Sequence, residues 1–219
     1  MTQRFANRAD AGRQLARHLA GAGLTAPLVL GLPRGGVPVA AEIAAALNAP
    51  LGVFVAQKIG LPGQEEAGIG AVAEGLAEPV VSAPAAAAGI RQEQLEPLAG
   101  RARAELDRRV SRYRAGRPLP PVTGRDVVVA DDGLATGVTA EAALLALRRQ
   151  QPRQLVLAVP VCPPETAHRL AAVADQLICP QKPAMFTAVS QWYEDFSPVT
   201  DEEVLRALRT GHRREGPAR

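Results

Sequence analysis

Two adjacent acids, Asp131 and Asp132, are the residues best placed to do chemistry in this chain of 219 residues. They follow the apolar run Val127 to Ala130, and Ala135 to Thr139 come next with small side chains and two hydroxyls. Small residues let backbone N–H groups point into a concavity, and a following helix adds partial positive charge at its N-terminus. The segment therefore predicts a loop that binds a phosphate group.

The order of the acids and the loop separates this segment from other phosphate-binding motifs. A Walker A loop would end in Gly-Lys-Ser/Thr and a dinucleotide fold would have GxGxxG, and neither pattern occurs here. An ionised Asp is an acceptor only, so two carboxylates ahead of a phosphate loop suit vicinal hydroxyls. The combination predicts a ribose 5-phosphate site. The alternatives are a capped helix after a buried strand with acids present by chance, or an aspartyl-phosphate phosphatase, which would want Asp-x-Asp.

Alternating strands and helices are expected to position this loop. Short apolar runs without alternation are typical of strands covered on both faces of a parallel sheet, and the alternation predicts a doubly wound, mostly parallel α/β sheet with helices on both faces. The predicted helices are Asp10 to about Gly21, Val37–Leu47, Thr139–Arg149 and Glu165–Val173, and the predicted strands are Pro27–Leu32, Leu51–Ala56, Asp126–Ala130, Gln154–Pro160 and Gln176–Cys179.

The remaining segments are predicted to belong to one domain, residues 1–208. Five glycines between Lys58 and Gly75 indicate a long mobile loop or an irregular hairpin, which we interpret as a lid at about 58–78. Residues 90–115 are predicted to form a charged surface helix, and residues 180–200 a small C-terminal hood. Residues 209–219 are expected to be a disordered tail.

Composition excludes several classes of protein. The net charge is +3, and much of the excess lies in four arginines near the C-terminus, so no basic face for nucleic acid is expected. No apolar run reaches membrane-spanning length and the first residues lack a signal-peptide core, so we expect a cytoplasmic protein without membrane contact. Cys162 and Cys179 are expected to be buried thiols rather than metal ligands or a disulfide.

The run VVVADDGLATGVT, Val127 to Thr139, resembles the thirteen-residue phosphoribosyl diphosphate motif of type I phosphoribosyltransferases. The resemblance implies that Asp131 and Asp132 contact the ribose 2′ and 3′ hydroxyls. Gly133 departs from the pattern, because the family usually has an apolar side chain there. The resemblance also assigns the 5′-phosphate to the residues of the following loop, which are Ala135, Thr136, Gly137, Val138 and Thr139.

The segment Gly31 to Gly36 resembles a second loop of the same family. Its Arg-Gly-Gly form is similar to the diphosphate loop of bacterial xanthine and guanine salvage enzymes, which implies that Arg34, Gly35 and Gly36 bind diphosphate. Lys58 opens KIGLPG, which resembles a run in adenine phosphoribosyltransferases and implies that Lys58 reaches the leaving diphosphate. The alternatives are a Pro/Gly turn with a solvated Arg, and a solvated Lys at a strand end.

The family reaction displaces diphosphate from C1′ by a nitrogen nucleophile, with Mg²⁺ as cofactor. The resemblance implies that the ion is held mainly by the substrate, with Asp131 and Asp132 contributing indirectly. In six-oxopurine salvage enzymes an Asp in the phosphate loop is the general acid/base, and its counterpart here is Ala135. Glu65, Glu66 and Glu74 in the predicted lid could fill that role, although each is better explained as a solvated loop acid.

The acceptor site is predicted from MFTAVSQWYEDF, Met185 to Phe196, in a protein with only 3% aromatic residues. Phe186 and Trp192 could stack on a base and Asp195 could assist the metal, as in the hood of purine salvage enzymes. A small core or a contact in a homodimer explains the cluster equally well.

Two functions therefore stay open. The first is an enzyme acting on phosphoribosyl diphosphate and a small nitrogen acceptor, with a role in nucleotide salvage. The second is a non-catalytic sensor or regulator that keeps the fold to bind phosphoribosyl diphosphate or a nucleotide. The intact acid pair, Arg34 and the Gly-rich lid favour the enzyme.

Overall fold

Short apolar runs bounded by Gly and Pro form the central sheet of the computed structural model, which describes residues 4–61 and 64–212. The central sheet is parallel throughout, with the order β2-β1-β6-β7-β8, and a second sheet has the order β3-β4-β5. The strands are β1 (Leu28–Gly31), β2 (Leu51–Val53), β3 (Ala56–Leu61), β4 (Gln64–Ala73), β5 (Val80–Val81), β6 (Asp126–Ala130), β7 (Gln154–Ala158) and β8 (Gln176–Ile178).

Helices cover both faces of the central sheet, as the sequence predicts. They are α1 (Arg8–Leu19), α2 (Gly36–Ala46), α3 (Ala83–Ala87), α4 (Gln92–Arg114), α5 (Val138–Arg148), α6 (Pro164–Ala171) and α7 (Asp201–His212). Alternate residues of the strands enter two cores: Val128 packs with residues of α1, α2 and α7, and Val127 packs with residues of α5 and α6. The doubly wound α/β prediction is confirmed.

The Gly-rich segment forms an antiparallel hairpin, β3 and β4, extended by β5. Of the two predictions for this segment, the irregular hairpin is therefore the one observed, with register shifts at Gly60. The predicted strand Leu51–Ala56 is wrong at its end, because the central strand ends at Val53 and Ala56 already belongs to the hairpin. A glycine of the hairpin also makes room for α4. A Cβ at Gly70 would lie 2.5 Å from Leu95 of that helix.

Two helix boundaries also correct the sequence predictions. The cap of α1 is Asn7, whose side chain accepts a hydrogen bond from the Asp10 N–H at 2.9 Å, so Asp10 lies in the first turn instead. The helix α7 continues to His212 and so includes the first four residues of the expected tail, while residues 213–219 lie outside the described residues.

The start of α7 follows from a local signal. The Glu203 N–H donates to the Thr200 hydroxyl at 3.2 Å, and the Thr200 N–H donates to the Glu203 carboxylate at 2.7 Å. This reciprocal capping box satisfies two N–H groups that a helix start otherwise leaves unpaired.

Two further expectations can be compared with the fold. Cys162 and Cys179 are buried free thiols whose Sγ atoms lie 3.2 Å apart, which agrees with the sequence prediction. Among residues 4–61 and 64–212, none of the helices has both the length and the apolar character needed to cross a membrane.

Candidate active site

The two loops predicted to bind phosphate groups leave neighbouring strands. The chain runs from β1 outward to β2 and later returns to place β6 on the other side of β1. The register from Leu28↔Val127 to Gly31↔Ala130 brings the carboxyl ends of β1 and β6 level. In open α/β sheets ligands bind outside the carboxyl ends of the strands at such a reversal. The topology therefore creates one crevice between the two loops.

The loop after β1 passes directly against the acid pair. A Cβ at Gly35 would overlap the carboxylate of Asp132, and a Cβ at Gly36 would lie 2.5 Å from the Ala130 carbonyl oxygen and 2.9 Å from the Asp131 Cα. Both positions therefore require glycine because of close approach to another segment. The predicted ribose residues and the predicted diphosphate loop are thus in contact.

Burial raises the pKa of both acids. For Asp131 the largest cause is desolvation, and the charge of Asp132 raises its pKa further, while the Asp132 N–H (2.8 Å from Oδ1) and the charges of Lys58 and Arg8 lower it. For Asp132 desolvation again raises the pKa, and the charge and hydrogen bond of Arg8 lower it. A ligand that brings hydroxyl donors or positive charge to the pair would stabilise its ionised form.

The loop after Asp132 ends at the N-terminus of α5. Its last residue, Gly137, has a φ of +69°, and a Cβ there would lie 2.8 Å from Thr166 of α6. The first N–H groups of α5, from Val138 onward, have no acceptor within the helix, and the helix dipole makes that end partly positive. This is the arrangement that binds a phosphate at a helix start.

Side chains of α6 hold the carbonyl groups of this loop. The Thr166 hydroxyl donates to the Ala135 carbonyl at 2.8 Å, and Arg169 donates to the Thr136 carbonyl and to the carboxylate of Glu141. The Ala135 and Thr136 carbonyls are therefore paired with donors of α6. Sequence reasoning missed Thr166 and Arg169, because nothing in their spacing marks a contact with a loop about 30 residues earlier.

Arg34 and Lys58, the two predicted diphosphate cations, differ in how they are held. The Arg34 side chain is 47% exposed, and its Nη1 lies 3.9 Å from Oδ1 of Asp201 in α7. Lys58 is exposed and extends along Gly68, where a Cβ would lie 3.3 Å from its Cδ. Its charge lowers the pKa of Asp131, so the ammonium is close enough to act on the acid pair. Contact of either residue with diphosphate stays a prediction.

Glu74, one of the three predicted lid acids, lies at the base of the hairpin in a partly buried ion pair. Its carboxylate is 2.6 Å from the Arg114 guanidinium and accepts the Val55 N–H at 2.7 Å. Burial raises its pKa, and Arg114 opposes that shift. These contacts favour a structural role for Glu74 over the acid/base role. The side chains of Glu65 and Glu66 lie outside the described part of the chain.

The aromatic cluster of the predicted hood divides into two groups. Tyr193 packs against Phe5 and Phe196, with ring centroids 5.5 and 5.0 Å away, so this group is a small core. Phe186 and Trp192 form a second, stacked pair, with an interplanar angle of 9° and centroids 6.5 Å apart, and Trp192 also packs against the small core. Asp195 is exposed and accepts hydrogen bonds from the Ser197 N–H (2.9 Å) and hydroxyl (2.6 Å), which lower its pKa.

The predicted hood also contacts the ribose loop, which is the segment after β6 that contains the predicted ribose acids. The Tyr193 hydroxyl donates to the Asp132 carbonyl at 2.5 Å. Val189 occupies the space beside Gly133, where a Cβ would lie 2.6 Å from its Cγ1, and the φ of Gly133 is +147°. The side chain that the family motif usually carries at this position is therefore replaced in space by a residue of the hood.

Arg8 is a further residue of this site that sequence reasoning missed. Its Nε donates to Oδ2 of Asp132 at 2.7 Å, and the two side chains are 11% and 14% exposed. A helix-start arginine carries no signal for a partner 124 residues away. Within residues 4–61 and 64–212, no group of three or more His, Cys, Asp or Glu side chains could hold a metal ion alone.

Comparison with known proteins identifies similar chains. Residues 3–196 match the family described as "Phosphoribosyl transferase domain". A Mycobacterium tuberculosis protein named as a candidate phosphoribosyl transferase is 44% identical over 217 residues, which is 95% of this chain and 47% of that protein. The chain therefore spans about half the length of this curated relative.

Solved structures give a second comparison. The crystal structure of TT1426 from Thermus thermophilus is 47% identical, with a TM-score of 0.78 and coverage of 94% of this chain and 98% of that one. A protein of Aquifex aeolicus shares the fold at 14% identity and a TM-score of 0.50, with coverage of 92% and 86%.

Proposed function

The chain belongs to the phosphoribosyl transferase domain family, and we propose that it transfers the 5-phosphoribosyl group of phosphoribosyl diphosphate to a nitrogen acceptor, which we take to be a nucleobase. The observation that carries the proposal is the contact of Gly35 with the carboxylate of Asp132. It brings a loop suited to diphosphate next to two acids suited to ribose. Diphosphate and ribose are neighbouring groups of phosphoribosyl diphosphate.

The sugar phosphate would lie along the loop after β6. Asp131 and Asp132 would accept hydrogen bonds from the 2′ and 3′ hydroxyls, which favours their ionised forms against the effect of burial. The 5′-phosphate would bind the N–H groups from Ala135 to Thr139, with hydroxyls of Thr136 and Thr139 as further donors. Thr166 and Arg169 would keep the loop carbonyls away from the anion.

The transfer forms a bond from the acceptor nitrogen to C1′ and breaks the bond from C1′ to the diphosphate oxygen. Negative charge develops on the leaving diphosphate while the ribose becomes oxocarbenium-like. Arg34 and Lys58 would neutralise that charge, and donors placed where charge develops are commonly the largest contribution to catalysis. The exposure of Arg34 supports this role, since its guanidinium can turn toward a bound anion.

The residues present fit magnesium only as an ion that is held mainly by the substrate. Carboxylate and phosphate oxygens are the ligands that Mg²⁺ prefers, but the described residues provide no cluster that would hold it alone. The ion would therefore arrive with the diphosphate, with Asp131 and Asp132 acting on it indirectly. When bound, it would neutralise the diphosphate and polarise the bond that breaks.

The acceptor proton has no evident receiver in the phosphate loop, because Ala135 stands where six-oxopurine enzymes have an Asp. Glu65 and Glu66 on the hairpin remain candidates. Closure of the hairpin over the crevice would bring them to the acceptor and keep water from C1′. Phe186 and Trp192 would supply the face on which a base stacks, as their parallel rings support.

A diphosphate-release assay tests the proposal. The protein is incubated with Mg²⁺, phosphoribosyl diphosphate and one acceptor at a time from a panel of purines, pyrimidines and other nitrogen nucleophiles. We expect diphosphate release that depends on one acceptor class and that disappears on chelation of the metal. Tight binding of phosphoribosyl diphosphate without release by any acceptor would instead indicate the sensor. Failure to bind phosphoribosyl diphosphate would contradict both functions.

A further inference from the structure

Arg8 connects three parts of the structure through one guanidinium group. Its Nε donates to Oδ2 of Asp132 at 2.7 Å, and its Nη1 donates to the Ser197 carbonyl at 2.7 Å. Its Cζ lies 3.9 Å from the centre of the Phe196 ring. The group is therefore fixed on one edge by the hood, on its face by an aromatic ring and on another edge by a ribose acid.

Backbone hydrogen bonds also fix the segment that precedes Arg8. The Phe5 N–H donates to the Trp192 carbonyl at 2.9 Å, and the Glu194 N–H donates to the Phe5 carbonyl at 2.8 Å, so the N-terminal segment pairs with the hood. Asn7 then caps α1, because its side chain accepts a hydrogen bond from the Asp10 N–H. The position of Arg8 is thus determined before any ligand binds.

The same elements hold Asp132 from its other end. The Tyr193 hydroxyl donates to the Asp132 carbonyl at 2.5 Å, and Gly35 lies against the carboxylate. Asp132 therefore accepts hydrogen bonds at its main chain from Tyr193 and at its side chain from Arg8. Free rotation of the carboxylate would break the bond with Arg8, so the observed rotamer is a constrained one.

We propose that Arg8 is a positioning residue, which fixes the carboxylate of Asp132 in the orientation that receives a ribose hydroxyl. This inference rests on the proposed function of Asp132 as a ribose ligand. Arg8 retains Oδ2 through a planar donor and leaves the remaining acceptor capacity of the carboxylate for the sugar. A Lys would keep the charge, but it could not donate to Asp132 and Ser197 from one rigid group while stacking on Phe196.

The test compares Arg8→Gln and Arg8→Lys with the control Arg13→Gln, which removes a 54% exposed arginine from the same helix. Calorimetry with Mg²⁺ measures the affinity for ribose 5-phosphate, for its 2-deoxy and 3-deoxy analogues, and for diphosphate. In the wild type, each missing hydroxyl should weaken binding. The penalty for a hydroxyl is the factor by which its removal weakens binding. In Arg8→Gln the penalty for at least one of the two hydroxyls should be smaller by about fivefold or more, while the affinity for diphosphate stays the same.

The outcomes separate the inference from its premise. An unchanged penalty for both hydroxyls in a folded Arg8→Gln protein overturns the inference, and so does an equal loss of affinity for all four ligands, which would mean a general structural role. If Arg8→Gln does not fold, Arg8→Lys decides, because its lost geometry should still reduce the penalty. A wild type that binds diphosphate but shows no preference for ribose hydroxyls contradicts the placement of the ribose itself.

Discussion

Gly35 lies so close to the carboxylate of Asp132 that a methyl group at position 35 would overlap it. These residues belong to loops that leave β1 and β6, almost a hundred positions apart in the chain. Their contact means that the predicted diphosphate loop and the predicted ribose acids cannot be altered independently. The same contact limits how far either loop can move before the crevice changes shape.

Substitution Gly35→Ala is expected to weaken binding of phosphoribosyl diphosphate strongly, because the new Cβ forces Asp132 out of its orientation. A loss of about 100-fold or more by calorimetry is expected, since two ligand contacts are disturbed together. Gly100→Ala is the matched control, because its Cβ would meet nothing within 4 Å and it is an exposed residue of α4. The control should bind normally and melt at a slightly higher temperature. Normal binding by Gly35→Ala would show that the loops do not act together.

Substitution Asp132→Asn is expected to weaken phosphoribosyl diphosphate binding about tenfold or more, because an amide is a poorer acceptor and loses the ion pair with Arg8. Calorimetry measures the affinity, with the exposed Asp107→Asn in α4 as control. Equal affinities for the wild type and Asp132→Asn would place the ribose elsewhere.

Substitution Asp131→Asn is expected to stabilise the fold at neutral pH. Burial raises the pKa of Asp131, so the folded state holds the proton more tightly than the unfolded state, and stability is lost as the pH rises from the ordinary carboxyl range through that raised pKa. Asparagine carries no charge and keeps an acceptor for the Asp132 N–H.

Thermal melting against pH measures this effect. The variant should melt about 2–4 °C above the wild type near pH 8, about 1 kcal/mol for a chain of this size, and the difference should narrow toward about pH 4. A difference that does not depend on pH, or one of opposite sign, would contradict the assignment of a desolvated carboxylate.

Substitution Arg169→Gln should weaken ribose 5-phosphate binding about tenfold and leave diphosphate binding unchanged, because the Thr136 carbonyl loses its donor and the phosphate loop can turn. His168→Gln changes the exposed neighbour on α6 and serves as control. If diphosphate affinity fell by the same factor, the effect would be general and not confined to the phosphate loop.

Substitution Trp192→Leu should lower kcat/KM for the acceptor about tenfold or more, since stacking of a base on an aromatic ring contributes about 1–3 kcal/mol. The affinity for ribose 5-phosphate should stay unchanged. Met185→Ala, at a side chain that is 91% exposed in the same segment, is the control. Kinetics that stay normal in Trp192→Leu would exclude this residue from the acceptor site.

The sequence predicts the central sheet and both loops because buried parallel strands are short apolar runs, and loops that approach a ligand or another loop need glycine. The bounds of β6 agree with the structure at both ends. The hairpin has a weaker sequence pattern, since Gly68 and Gly70 interrupt the alternation of a strand where Lys58 and Leu95 pack against them. Such contacts are tertiary and leave no local pattern.

Sequence reasoning missed two other parts of the structure, for different reasons. Arg8 depends on a partner 124 positions away, so no local rule could find it. The helix α7 does have a local signal, the capping pair Thr200 and Glu203, followed by Val204 and Leu208 on one buried face. The arginines near the C-terminus indicate a solvated tail, whereas the apolar spacing of Val204 and Leu208 indicates a helix that packs on the sheet.

Val189 fills the space beside Gly133 that a side chain of the ribose loop would otherwise take. The side-chain volume beside the motif thus comes from the hood, and the sizes of the side chains at positions 133 and 189 depend on each other. Among relatives, a larger residue at 133 should therefore accompany a smaller one at 189. An exchange of hoods between members of the family would need a compensating change in the ribose loop.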